Sequence, residues 1–247
     1  SIQILFISII KFTRIDKKRL VEIESGSIEP TGDEILILSE FYKCDYKFFI
    51  SNDRIAPFEE TENLFRKHGN DLSKNDRWTI QEFLYLCECE SFLETQLNTE
   101  KKLNFQFVPK GNYYKGHAEN AAKELRQTLK MHSHQIFSDV FELFRRLGYH
   151  IFRRKLENSN ISGLFVLHPT AGKCILVNYD EDNFRQRFTV CHEAAHGIFD
   201  SNESATISFT KTSKEDLVEI RANTFASHFL LPPERRVSES ISGFHLN

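Results

Sequence analysis

The segment RQRFTVCHEAAHGIFD, residues 185–200, decides the fold because it sets two histidines four positions apart in an apolar frame. Residues at this spacing differ by about 40° around a helix axis, so His192 and His196 face the same direction. Two neutral imidazoles that converge on one point are typical ligands of Zn²⁺. Glu193 follows the first histidine and can reach a water at the metal as its general base. The segment therefore predicts a zinc-binding helix with Glu193 as its catalytic residue.

A catalytic zinc also needs a third protein ligand and an open position. The last predicted helix, residues 214–231, offers Glu219, which shares a helix face with small and apolar side chains. A carboxylate in such surroundings is expensive to bury unless it is paired or binds a metal. Glu215, Asp216 and Asp200 compete for this role. The first two suit the first turn of a helix, where acids favour the helix dipole, and Asp200 ends the motif helix, so Glu219 is favoured.

Helix and strand patterns alternate around the motif. Helices are predicted over residues 76–94, 117–130, 134–147, 181–200 and 214–231, and strands over Tyr149–Arg153, Leu164–Leu167 and Cys174–Asn178. We therefore expect an α+β fold that is mainly helical, with a small sheet packed beside the zinc-binding helix.

The chain of 247 residues is predicted to contain three regions. Residues 1–52 form a small helical module, residues 53–115 a helical connecting region, and residues 116–247 the metal-binding domain. In the first region Asp16 is expected to cap one helix, while Thr31 and Glu34 form the capping box of the next.

Composition and charge narrow the classes of function. Hydrophobic residues make up 40% and charged residues 27%, as in ordinary folded proteins, and the net charge of -3 gives no overall attraction to nucleic acid or anionic membrane. The five cysteines are few and odd in number, which is typical of reduced thiols and predicts a cytoplasmic protein. The apolar stretch at residues 2–10 is far shorter than the roughly 20 residues that span a bilayer, so no membrane association is expected.

Three sequence elements in order resemble the ImmA/IrrE family of zinc metallopeptidases. They are RQRFT at residues 185–189, HEAAH at residues 192–196 and EIRANTFA at residues 219–226. The resemblance covers about residues 115–235 and implies the two motif histidines and Glu219 as zinc ligands, with Glu193 as the catalytic acid and base. It also implies a regulated endopeptidase that cuts a partner repressor of the helix-turn-helix class, in stress responses or mobile elements.

Residues 14–50 resemble the second half of an XRE-type helix-turn-helix domain. In that pattern Lys17, Lys18 and Arg19 would begin the recognition helix and contact DNA. The first two helices of such a domain are not recognisable in residues 1–13. A second hypothesis is therefore a DNA-binding transcriptional regulator with a structural or vestigial zinc site, and a third is a protease that its basic module brings to DNA-bound repressors.

Overall fold

The computed structural model describes residues 9–44, 46–50, 72–99, 103, 105–132, 135–136, 139–200, 205–209 and 217–232. These residues separate into two compact units, one within residues 1–59 and the other within residues 60–247. The three predicted regions and their boundaries stay predictions, and the boundary at residue 52 lies outside the described residues. In the described part of the chain, no helix has both the length and the apolar character needed to cross a membrane.

The N-terminal unit is helical. Residues 9–13 form a helical turn, and three helices follow: α1 (Lys17–Glu24), α2 (Gly32–Tyr42) and α3 (Lys47–Ile50). Both expected caps are present, because the Asp16 carboxylate accepts the Lys18 N–H and Thr31 exchanges capping-box hydrogen bonds with Glu34. The two main helices therefore begin where their capping residues predict.

The second unit holds five helices and four strands in its described part. The helices are α4 (Lys74–Leu97), α5 (Tyr114–Thr128), α6 (Val140–Arg146), α7 (Asn183–Phe199) and α8 (Leu217–Leu230), and the strands are β1 (Tyr149–Arg154), β2 (Ile161–His168), β3 (Gly172–Asn178) and β4 (Ala205–Phe209). The sheet order is β1-β3-β2-β4, with β1 parallel to β3 and the other pairs antiparallel. The predicted mainly helical α+β fold is confirmed, and β4 is a strand that the sequence patterns did not predict.

Helix α6 is shorter than predicted. The sequence predicts a helix from residue 134, but residues 135 and 136 are not helical and α6 begins after Asp139. The Asp139 carboxylate accepts hydrogen bonds from the backbone N–H groups of Phe141 and Glu142 at 2.9 and 3.1 Å. This side-chain cap satisfies the first backbone donors and sets the start of the helix there.

Both faces of the sheet are buried, so its central strands do not alternate between apolar and polar residues. On β2, Phe165 packs with helices α5 to α8, whereas Leu164 and Val166 pack with α4 on the opposite face. On β3, Ile175 and Cys174 divide in the same way. This three-layer arrangement places α7 flat against the sheet, with its histidines on the side that α8 covers.

Helix α7 packs tightly on the sheet at Gly197, one residue after His196. A Cβ atom at Gly197 would lie 2.7 Å from Cε1 of Tyr149 and 2.9 Å from Cε2 of Phe165. The Tyr149 hydroxyl donates a hydrogen bond to the Ala194 carbonyl at 2.9 Å in the same turn of α7. The missing side chain at Gly197 therefore lets the histidine-bearing helix lie against strands β1 and β2.

We expect Gly197→Ala to lower the free energy of unfolding by about 1–3 kcal/mol, because the added methyl group must displace two packed rings. Urea denaturation measures the loss. The matched control is Gly116→Ala in α5, where the three nearest atoms all belong to the Tyr113 ring, which is 64% exposed and can turn away. Alanine is the better helix former, so the control should keep or gain stability. Equal losses in the two variants would contradict close packing at Gly197.

Candidate metal centre

Helices α7 and α8 bring three potential metal ligands together: His192, His196 and Glu219. The Nε2 atoms of the two histidines are 3.2 Å apart. Oε2 of Glu219 lies 3.3 Å from Nε2 of His192, and Oε1 lies 3.3 Å from Nε2 of His196. The His196 side chain is fully buried and that of Glu219 is 12% exposed. The three residues predicted as ligands thus form a compact group at the edge of the core, here called the donor triangle, in which each imidazole nitrogen lies against a different oxygen of Glu219.

The size and chemistry of this donor triangle fit a small divalent cation. Bonds of 2.0–2.2 Å to nitrogen and oxygen ligands place neighbouring donors of a tetrahedron about 3.3–3.6 Å apart. The observed separations of 3.2 and 3.3 Å are close to that edge length. Imidazole nitrogens favour metals such as zinc over Mg²⁺ or Ca²⁺, which prefer oxygen. Three protein donors leave one tetrahedral position for water or substrate.

A second contact orients each imidazole through its other nitrogen. Nδ1 of His192 lies 3.1 Å from Oδ1 of Asn223, and Nδ1 of His196 lies 3.1 Å from Oδ2 of Asp200. Both partners present acceptor oxygens, so each Nδ1 carries a proton and each Nε2 lies in the donor triangle. A metal bound at Nε2 requires this tautomer.

Asp200 is therefore a supporting residue and not the alternative ligand that its position in sequence allowed. Its carboxylate lies at Nδ1 of His196, on the opposite side of the ring from the donor triangle, and also pairs with Arg221. Glu215 and Asp216, the other rivals, lie outside the described residues.

Sequence reasoning missed the supporting roles of Asn223 and Asp200, although a signal was present. Asp200 follows His196 by four residues, and Asn223 follows Glu219 by four residues. Residues at this spacing are neighbours on a helix surface. The spacing therefore makes Asp200 a candidate for orienting His196, whereas Asn223 contacts His192 on α7 and not its neighbour Glu219, so its role depends on the packing of α8 on α7.

The donor triangle favours a positive charge. Burial lowers the pKa of His196, but hydrogen bonds to Asp200 and Glu219, together with the charge of Glu193, outweigh burial and raise that pKa to about 10. Burial raises the pKa of Glu219, but hydrogen bonds from His192 and His196 lower it to about 2. A proton shared within the triangle supplies the positive charge in the absence of a metal, and a bound cation would supply it instead.

Glu193 is fully buried against strand β2, where a glycine leaves room for it. A Cβ atom at Gly163 would lie 3.2 Å from Oε1 of Glu193 and 2.8 Å from the Leu176 carbonyl oxygen. The carboxylate therefore sits beside the backbone of the sheet as well as next to the first motif histidine. Sequence patterns did not reveal this role of Gly163, because it depends on how α7 packs on β2.

The three basic residues predicted to contact DNA lie in different surroundings. Lys17 and Lys18 are exposed at the start of α1. The Arg19 guanidinium instead donates two hydrogen bonds of 2.8 Å to the carboxylate of Glu34. These hydrogen bonds, together with the Thr31 backbone N–H, hold the pKa of Glu34 at about 2. Arg19 therefore ties α1 to the start of α2.

The comparison with known protein families matches the part of the chain that carries the donor triangle. Residues 144–236 match a peptidase family domain described as IrrE N-terminal-like. This segment is therefore similar to IrrE N-terminal-like domains. The resemblance to the ImmA/IrrE family is thereby confirmed, and it supports a metallopeptidase-type function. The match includes α7 and α8 but neither the N-terminal unit nor α5. A search of curated proteins finds no match to the chain.

We expect Zn²⁺ binding to the IrrE N-terminal-like domain to release about one proton at neutral pH, because the metal must displace the proton that the donor triangle holds. The pKa of His196 is raised to about 10, so protons compete with the metal more strongly as the pH falls. The affinity for zinc should therefore rise with pH between about pH 6 and 8.

Calorimetric titration in buffers of different ionisation enthalpy measures the protons released. His196→Ala is the control, since it removes both a ligand and the group that holds the proton. Zinc binding without proton release would contradict the charge balance described for the triangle.

Proposed function

We propose that the chain is a zinc-dependent endopeptidase in which Glu193 is the general base and acid. The observation that carries the proposal is the donor triangle of His192, His196 and Glu219, with separations of 3.2–3.3 Å, beside the fully buried Glu193. The peptidase family match over residues 144–236 supports the reaction class.

The protein groups divide the chemistry between them. A divalent cation held by His192, His196 and Glu219 would supply positive charge that acidifies a water and polarises the scissile carbonyl. The Glu193 carboxylate accepts the proton of the attacking water and returns it to the leaving amine nitrogen. Asn223 and Asp200 hold the two imidazoles by their Nδ1 atoms, with both Nε2 atoms in the donor triangle.

We propose a regulatory protein as the substrate, specifically a helix-turn-helix transcriptional repressor with an exposed linker. The resemblance to ImmA/IrrE peptidases supports this choice, since such enzymes cut partner repressors. The burial of the triangle supports a linker as the cleaved segment. The Glu219 side chain is 12% exposed and that of His192 is 7% exposed, which favours an extended chain over a folded surface.

We also propose that the protein acts in the cytoplasm. The sequence has five cysteines, which is a small and odd number for a chain of 247 residues. Such a set is typical of proteins in a reducing compartment.

The alternative, a DNA-binding regulator with a structural or vestigial metal site, rests on Lys17 and Lys18 at the start of α1. Both are exposed and could contact phosphates. Arg19 adds little to this hypothesis, because Glu34 holds its guanidinium. A regulator of this kind would bind DNA in a salt-dependent way and would not need Glu193.

We expect Glu193→Gln to abolish proteolysis while zinc still binds, because glutamine keeps the shape of the side chain but cannot accept a proton. The loss should be at least 10²-fold, the usual contribution of a general base. The assay incubates zinc-loaded protein with small helix-turn-helix repressors from the same genome and follows cleavage by gel electrophoresis and mass spectrometry.

Glu219→Gln is the matched control, since it makes the same chemical change, glutamate to glutamine, at a proposed metal ligand. It should lose zinc as well as activity, whereas Glu193→Gln should lose only activity. Full cleavage by Glu193→Gln would overturn the proposed mechanism, and DNA binding with no cleavage of any repressor would favour the regulator.

A further inference from the structure

We propose that Arg221 and Tyr114 are positioning residues that hold the ligand His196 through Asp200. The inference rests on the proposed metal centre and extends it to α5, a helix that precedes the matched IrrE N-terminal-like domain. It is carried by four side chains, each of which contacts the next: Tyr114 on α5, Arg221 on α8, Asp200 at the end of α7, and His196 itself.

Asp200 connects the ligand to the rest of this chain of contacts. One carboxylate oxygen, Oδ2, lies 3.1 Å from Nδ1 of His196, and the other, Oδ1, accepts from the Arg221 guanidinium. The side chains of Asp200 and Arg221 are only 11% and 8% exposed. A carboxylate buried to this degree is expensive to leave unpaired, so the contact with Arg221 holds Asp200 in place.

Two aromatic rings in turn hold the Arg221 guanidinium. Its Cζ atom lies 4.8 Å from the centre of the Tyr114 ring and 4.7 Å from the centre of the Phe199 ring. A planar cation between two ring faces gains cation–π attraction and loses freedom to turn. The rings belong to α5 and α7 and the arginine to α8, so the contact fixes three helices around Asp200.

The contact with Asp200 fixes the direction in which the His196 ring points. Asp200 accepts a hydrogen bond from the Nδ1–H group, so Nε2 of His196 faces the donor triangle. Outer partners of this kind change metal affinity about 10–100-fold when they are removed. Lysine could keep the positive charge of Arg221 but not its planar, two-pronged geometry or its stacking between rings.

A second arginine provides a matched control for the same pair of helices. Arg126 on α5 is 6% exposed and donates to the Phe229 carbonyl on α8 at 2.8 Å. It also donates to the carbonyls of His132 and Gln135. Arg126 thus joins α5 to α8 near the C-terminal end of both helices, whereas Arg221 joins them beside the ligands.

The experiment measures the zinc dissociation constant by competition with a chromogenic chelator, and the melting temperature of the metal-free protein. The variants are Arg221→Lys, Tyr114→Leu, Tyr114→Phe and Arg126→Lys in the full chain. We expect Arg221→Lys and Tyr114→Leu to weaken zinc binding about 10–100-fold. Tyr114→Phe keeps the ring and should restore wild-type affinity. Arg126→Lys should lower the melting temperature and leave the dissociation constant unchanged.

The outcomes separate this inference from the proposed function. Wild-type zinc affinity in Arg221→Lys and Tyr114→Leu, with melting temperatures lowered as in Arg126→Lys, overturns the inference and leaves the peptidase intact. If Arg221→Lys does not fold, the comparison of Tyr114→Leu with Tyr114→Phe decides. A wild-type protein that binds no zinc overturns both proposals.

Discussion

One constraint governs the candidate metal centre: the side chains of His192, His196 and Glu219 lie close together in a site that is almost closed to solvent. The two Nε2 atoms lie 3.2 Å apart, and each lies 3.3 Å from a different oxygen of the Glu219 carboxylate. Such a set is stable only with a positive charge among its members, and the raised pKa of His196 and the lowered pKa of Glu219 express that need. The surrounding contacts keep the donors in position while leaving the charge to a proton or a metal.

Two glycines and two arginines determine how the helices that carry these side chains pack on their neighbours. Gly163 and Gly197 let α7 lie against strands β2 and β1, which fixes the histidines and Glu193 relative to the sheet. Arg221 joins the part of α8 that carries Glu219 to α5 and to the end of α7, whereas Arg126 joins α8 to α5 near the C-terminal end of both helices. The glycines act by removing steric volume and the arginines by using buried charge, so the site is held from two sides.

Much of the local structure could be predicted because it depends on neighbours in sequence. The Asp16 cap and the Thr31–Glu34 capping box set the starts of α1 and α2 as expected. The predicted start of α6 at residue 134 was wrong, because the Asp139 side chain caps the helix and the apolar periodicity before it does not extend the helix. Strand β4 was missed because its pairing with β2 is a contact between distant segments. Capping and periodicity act within a turn or two, whereas strand pairing depends on the path of the whole chain.

For the metal centre, the sequence by itself determined that His192 and His196 lie on one helix face, since four residues make about one helical turn. It also placed Glu193 beside the first of them. Only the tertiary structure decided that Glu219 reaches both Nε2 atoms and that Asp200 supports His196 from behind. The reason is physical: helical spacing orients residues within one element, but the distance between donors on α7 and α8 is set by how α7 packs on the sheet and how α8 packs on α7 and α5.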